Sequence, residues 1–220
     1  METAMYTRLK ENPAFPFVAP FVLFMIFLAL EGIHSSAVYL IYPIKTVAVG
    51  LFILWILSRL PSFDLKRPAL AVSAGVFVFT LWIGLGPMIS MGKMEGGFNP
   101  FLFENKEIAW GLVAFRILGA ALVVPVMEEL FWRGFLMRYL IKENFEDVQL
   151  GTYSHFSFWV TTLLFASVHG ALAPVALLAG IIYGAIFIRT KSLGDVILAH
   201  GVTNLLLGLY VLNTGKWYFW

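Results

Sequence analysis

Three short stretches set charged or amide side chains at helical spacing inside apolar sequence: Glu128-Glu129-x-x-x-Arg133, Phe165-x-x-x-His169 and His200-x-x-x-Asn204. Glu129 and Arg133 are four apart and share one helix face, acid N-terminal to base, the favourable order for pairing. Glu128 is turned about 100° away, so the guanidinium does not neutralise it. A carboxylate left over in an apolar setting is suited to general-base work. Phe165 and His169 also share a face, and Gly170 follows at once. His200 and Asn204 project the same way, and two such donors in a water-poor site can hold a developing oxyanion. Each group has a plainer reading as well. The first could be an ion-pair cluster where a helix meets headgroups, the second a satisfied histidine at a helix end. The third could be hydrogen-bonding glue between helices. Taken singly, the groups leave both sets of readings open.

The elements that would position these residues are membrane helices. Of 220 residues 60% are hydrophobic and 13% charged, with mean hydropathy +0.85. Soluble domains carry roughly twice that share of charge. One soluble domain of this size could not bury 21 Phe and 7 Trp. The absence of Cys excludes disulfides, thiol catalysis, thiolate zinc and iron–sulfur clusters, and a net charge of +2 gives no footing for nucleic acid. The start, METAMYTRLKENPAFPF, has no small-residue cleavage site after a short apolar core, so no removable signal peptide is expected.

A spanning helix needs about 20 mostly apolar residues. Candidates lie near 14–33, 37–58, 68–90, 108–127, 154–172, 174–189 and 194–212. The stretch 126–142 either continues the fourth helix beyond Pro125 or stands alone. The expected fold is therefore an all-α, polytopic bundle of seven or eight membrane helices. It forms a single integral membrane domain over 1–220, with N-terminal helices in 1–107 and the motif-bearing core in 108–212. Basic residues orient it. With a cytoplasmic N-terminus, the inner flanks collect Arg8, Lys10, Arg59, Lys66, Arg67, Arg138, Lys142, Arg189 and Lys191. The outer flanks collect Lys93, Lys106 and Lys216. One feature strains this alternation, because it sets His169 near the outer end of its helix and Glu128 and His200 toward the inner side. A turn around Gly170–Pro174 within the protein would bring them to one depth.

Other polar residues have milder readings. Lys45 can snorkel or pair with Glu31, and Arg116 has a helix carbonyl or a lipid phosphate as prospective partners. Gly180-x-x-x-Gly184 reads as a close-packing face. His34 reads as a loop residue and His155 as interfacial. The closing KWYFW resembles an interfacial anchor.

Taken together and in this order, EELFWR (128–133), FASVH (165–169) and HGVTN (200–204) resemble the CPBP family. These are the CAAX-processing and bacteriocin-processing intramembrane proteases, also called Abi or Rce1-like. The likeness covers roughly residues 110–212; residues 1–107 carry no motif. The wording VVPVMEELFWRGFLMRYLI further resembles a bacterial branch associated with exosortase sorting systems. The resemblance implies that Glu128 and His169 activate water, that His200 and Asn204 hold the oxyanion, and that Glu129 and Arg133 support the site. It implies peptide hydrolysis within or beside the bilayer, on a membrane-anchored protein or peptide, in a bacterial inner membrane. No GxSxG competes, and Ser167 has no partner acid. The family is commonly labelled metal-dependent, and Glu128, His169 and His200 could ligate zinc. With no HExxH and with Asn a poor ligand, the expectation is that no cofactor is required. The competing functions are a non-catalytic immunity or assembly factor that keeps the motif for packing, and a small transporter relaying protons. Transport is the weakest, because no inverted repeat is present.

Overall fold

Proline opens four of the helices, where its missing N–H goes unused and its fixed φ suits the first turn. The computed structural model describes residues 12–34, 36–92, 94 and 96–220. Among them there is no strand. The helices are α1 (Phe15–Glu31), α2 (Ala37–Ile56), α3 (Pro68–Gly84), a short α4 (Gly86–Ile89), α5 (Lys106–Tyr139), α6 (His155–Ser167), α7 (Ala173–Thr190) and α8 (Leu193–Thr214). Four stretches are long and apolar enough to cross a membrane: Ala37–Arg59, Lys106–Tyr139, Gly170–Thr190 and Leu193–Thr214. The apolar α1 and α3 are shorter. Leu40, Leu51, Leu54, Phe77, Leu122 and Leu163 stand exposed on helix flanks, as lipid-facing side chains do.

The expected helices are there, with three boundary differences. The fourth does not stop at 127 but runs to Tyr139 as one helix, so 126–142 is no separate span. The third ends at Gly84, and α4 follows with Pro87 in its first turn. The fifth, α6, stops at Ser167 after 13 residues. At 1.5 Å per residue that is about 20 Å, short of a hydrocarbon core of about 30 Å. The chain then turns through Gly170–Leu172, with Gly170 at φ +55, and re-enters as α7. This is the turn that the placement of His169 requires. The segment after α3 braces it: Met91 N–H donates to Ala171 O at 2.8 Å.

Small residues set the helix crossings. A Cβ on Gly75 would stand 2.5 Å from Ala199 O, so α3 and α8 meet backbone to backbone there. Thr203 Oγ donates across that crossing to Gly75 O at 2.9 Å. Gly180 and Gly184 of α7 accept the rings of Phe165 and Phe158, with no room for a side chain at Gly184. The expected packing face is real, and it is what brings α6 against α7.

The starts of α3 and α8 are tied together. Ser192 Oγ caps α8 by accepting from Asp195 N–H at 3.1 Å and donates to Asp64 O at 2.5 Å. Asp195, fully buried, accepts the Arg67 N–H with both carboxylate oxygens, at 3.0 and 3.1 Å. Losing a buried acceptor of this kind costs about 1–3 kcal/mol. Asp195→Ala is therefore expected to lower the melting temperature in detergent, and Asp195→Asn, which keeps one acceptor, to lower it less. Equal melting of Asp195→Ala and wild type would show that this tie is not a stabilising one.

Two flanking segments are tied to the rest of the fold. Arg138 is buried and donates to Val148 O (2.7 Å), Gly134 O (2.9 Å) and Glu146 O (3.4 Å), closing the end of α5. The aromatic tail folds inward: Phe98 N–H donates to Trp220 O at 3.3 Å, and Phe219 is buried. Of the other polar residues, His34 sits in the α1–α2 turn with Ser36, and His155 opens α6 with its ring on Tyr153 OH at 2.9 Å. Arg8, Lys10 and Lys93, used for orientation, lie outside the described residues.

Candidate active site

Glu128 and Glu129 lie between two wide-turn segments of α5, π-helical over Gly119–Val123 and Leu130–Leu136. The first explains why Pro125 does not end the helix. A proline ring collides with the carbonyl four residues back, and an inserted residue in the preceding turn shifts that carbonyl aside. Asn204 Nδ2 donates to Ala120 O inside this bulge at 2.8 Å. Gly201 makes the approach possible, since a Cβ there would lie 2.8 Å from Ala121 O. The glycine in HGVTN thus lets α8 cross α5 at the bulge, a role readable in the motif but missed from spacing alone.

Glu129 is fully buried and shared by two partners. Arg133 Nη1 lies 3.0 Å from each of its oxygens, and His200 Nδ1 is 2.9 Å from Oε1. Arg133 also donates to Gly180 O at 3.2 Å and lies over the Phe165 ring at 4.8 Å. The expected Glu129–Arg133 pair is present. Its contact with His200, 71 positions on, was not foreseen. Because the carboxylate accepts from Nδ1–H, His200 presents Nε2 to the cavity. Tyr183 stacks on the other face of that ring, with centroids 5.0 Å apart, while its hydroxyl donates to Thr203 Oγ at 2.7 Å. Tyr183 is a site residue that spacing did not single out, although its place between Gly180 and Gly184 on a packed face was a usable signal.

His169 sits at the head of the Gly170–Leu172 turn and donates Nδ1–H to Phe165 O at 2.7 Å. That fixes the tautomer: in the neutral ring Nε2 is an acceptor. The Phe165 ring lies 4.6 Å from the His169 ring and 6.3 Å from that of His200, so the Phe of FASVH holds both histidines. Glu128 is buried, yet its Oε2 has no hydrogen-bond partner. Glu128, His169, His200 and Asn204 all line one cavity of about 590 Å³. Its other walls include Phe21, Phe24, Met25 and Leu28 of α1 and Trp82 of α3.

Among the described residues no three His, Asp, Glu or Cys side chains are gathered as a metal-holding group. Glu128, His169 and His200 line the same cavity, and each histidine is bound to protein through Nδ1, which leaves Nε2 as the nitrogen it can offer there.

Residues 109–206 match the family model described as type II CAAX prenyl endopeptidase Rce1-like. Over that stretch, 98 of 220 residues, the chain is similar to the Rce1-like family. No curated protein and no solved structure matches it. The Rce1-like stretch holds all seven motif residues and runs from the first turn of α5 into α8, whereas α1 to α4 lie outside it. The family is one of proteases, and with its apolar helices the chain is an integral membrane protein.

Proposed function

We propose that this protein is an intramembrane endopeptidase that cleaves a membrane-anchored peptide or protein with a glutamate-activated water. The observation that carries the reading is the partition of the two carboxylates. Glu129 is held by Arg133 and His200, its Oε2 lying 3.0 Å from the guanidinium without a hydrogen bond, while Glu128 has no ion-pair partner among the described residues and keeps an unpartnered oxygen on the cavity that His169 also lines. In this mechanism a water sits between Glu128 and His169 Nε2. Glu128 takes its proton as the oxygen attacks the scissile carbonyl carbon. The oxyanion that forms accepts from His200, which must carry both ring protons to donate from Nε2, and from the second amide hydrogen of Asn204. Collapse of the tetrahedral intermediate breaks the C–N bond, and Glu128 returns the proton to the leaving amine. No covalent acyl-enzyme forms and no cofactor takes part.

The aromatic and aliphatic wall from α1 and α3 fits a substrate presented by the bilayer rather than by water. A bacterial inner membrane with the N-terminus in the cytoplasm is the setting this reading takes.

The test is cleavage of a quenched membrane-peptide library by protein purified in detergent, with Glu128→Gln alongside and a strong zinc chelator in half the reactions. Cleavage that needs Glu128 and survives the chelator is the expected result. Activity lost to the chelator and restored by zinc would overturn the cofactor-free mechanism. Equal background from both proteins would favour a non-catalytic partner. Asn204→Ala should reduce kcat by about 10²–10³, the usual effect of one oxyanion donor. Because Asn204 also holds Ala120 O, melting is measured in parallel, and a kcat loss no larger than the fraction unfolded would remove Asn204 from the oxyanion role.

A further inference from the structure

The two ends of the bundle differ in charge, and the cavity reaches only one of them. The connections α2–α3, α5–α6 and α7–α8 meet at the first end. There Lys66 Nζ donates to Lys191 O at 2.9 Å, and Gly194 packs on Phe63 O. A Cβ on Gly151 would stand 2.8 Å from Phe187 O. This end carries Arg59, Lys66, Arg67, Lys142, Arg189 and Lys191. The α1–α2 turn, the segment between α4 and α5, the α6–α7 turn and the residues after α8 meet at the other end. There Tyr39 OH donates to Asn99 O at 3.1 Å, Gly97 packs on Trp217 O, and Met91 N–H reaches Ala171 O. Among the described residues this second end carries Lys106 and Lys216. An excess of Lys and Arg in short connections marks the cytoplasmic side, and Asp and Glu count for little in that bias. Six cations against two make the first end the cytoplasmic one.

Glu128, Tyr183 and His200 form the deep part of the cavity, and Val38, Gly97, Leu172 and Trp220 belong to its other limit. Those four all come from the second end. Among the described residues, none from the α2–α3, α5–α6 or α7–α8 connections lines the cavity. On that side Phe17, Phe145, Phe158, Phe187 and Leu193 are buried in one apolar core, which seals the catalytic groups from the cytoplasmic end. The seal is short. His200 is seven residues from the start of α8 and fourteen from its last residue, about 10 and 20 Å along the axis. Water and peptide therefore enter by the longer way.

We infer that the cavity opens to the outer face of the membrane, and that the peptide it takes is presented there, on the exported part of a membrane-anchored protein. The substrate class rests on the endopeptidase reading, whereas the face is tested without turnover. The chain has no Cys, so single substitutions give unique labelling sites. Val38→Cys and Leu172→Cys report the cavity, Lys216→Cys the outer end and Lys66→Cys the cytoplasmic end. Intact spheroplasts holding each variant are treated with a small anionic, membrane-impermeant thiosulfonate. The thiols left unblocked are then read with a fluorescent maleimide in detergent. Positions 38, 172 and 216 are expected to lose most of the maleimide signal, and position 66 to lose none until the membrane is lysed. Blocking of Lys66→Cys in intact spheroplasts overturns the inference, because the charge bias then has the wrong sign. Sparing of both cavity thiols while Lys216→Cys is blocked overturns it as well, whether or not they react after lysis. For the substrate, quenched peptides bearing an impermeant charged tag are added outside right-side-out and inside-out vesicles. Cleavage by right-side-out vesicles alone, lost in Glu128→Gln, is expected. Cleavage by inside-out vesicles, alone or as well, removes the exported substrate. Cleavage by neither, with the cavity thiols blocked from outside, would overturn the endopeptidase reading while the assignment of the face stands.

Discussion

Glu128→Gln is expected to reduce kcat by about 10²–10⁴, the range for removing a positioned general base, with the melting temperature close to that of wild type. Two facts make the combination specific. The Oε2 of Glu128 makes no hydrogen bond to protein, so an amide of the same shape breaks nothing in the fold. The side chain faces the cavity with His169, so the loss falls on the water that the pair would hold. An amide cannot accept the proton or return it to the leaving amine. The checks are single-turnover cleavage and thermal melting on the same preparation. A variant that cleaves within a few-fold of wild type would remove Glu128 as the base. One that unfolds would show the carboxylate to be structural.

Glu129→Gln should do the opposite, acting first on stability. Glu129 and Arg133 are both fully buried, and the guanidinium is left without its counter-charge when the carboxylate goes. Breaking one half of such a pair typically costs about 3–5 kcal/mol, whereas replacing both halves by apolar groups is often neutral. Glu129→Gln and Arg133→Met are thus each expected to melt well below wild type, and Glu129→Leu with Arg133→Met to recover most of the loss. Cleavage should not recover with it, because His200 Nδ1 has lost the acceptor that orients the ring. A double variant that regains both stability and turnover would show that Glu129 is a packing element alone.

Much of this was legible beforehand. Long apolar runs marked the helices, and four-residue spacing put Glu129 on Arg133 and Phe165 on His169. The family likeness rests on the same three motifs, inside the stretch that the family model matches. Other details were hidden because they depend on backbone departures with weak local signals. The α5 helix continues past Pro125 because a bulge precedes it, and α6 ends early in a turn that needs positive φ at Gly170. The tail reads as an anchor because Trp and Tyr are common at interfaces, yet its rings close over Phe98 and Arg116 instead.

The sequence by itself determined the class of fold and which side chains could carry chemistry, since these follow from local hydropathy and helical period. Only the tertiary structure decided which helices are neighbours. In lipid both the buried and the outward faces of a helix are apolar, so no amphipathic stripe names the partner. The choice passes to close approaches at glycine, backbone on backbone at Gly75 and Gly201 and the Phe158 ring on Gly184. Those approaches put His200 on Glu129 and left Glu128 on the cavity.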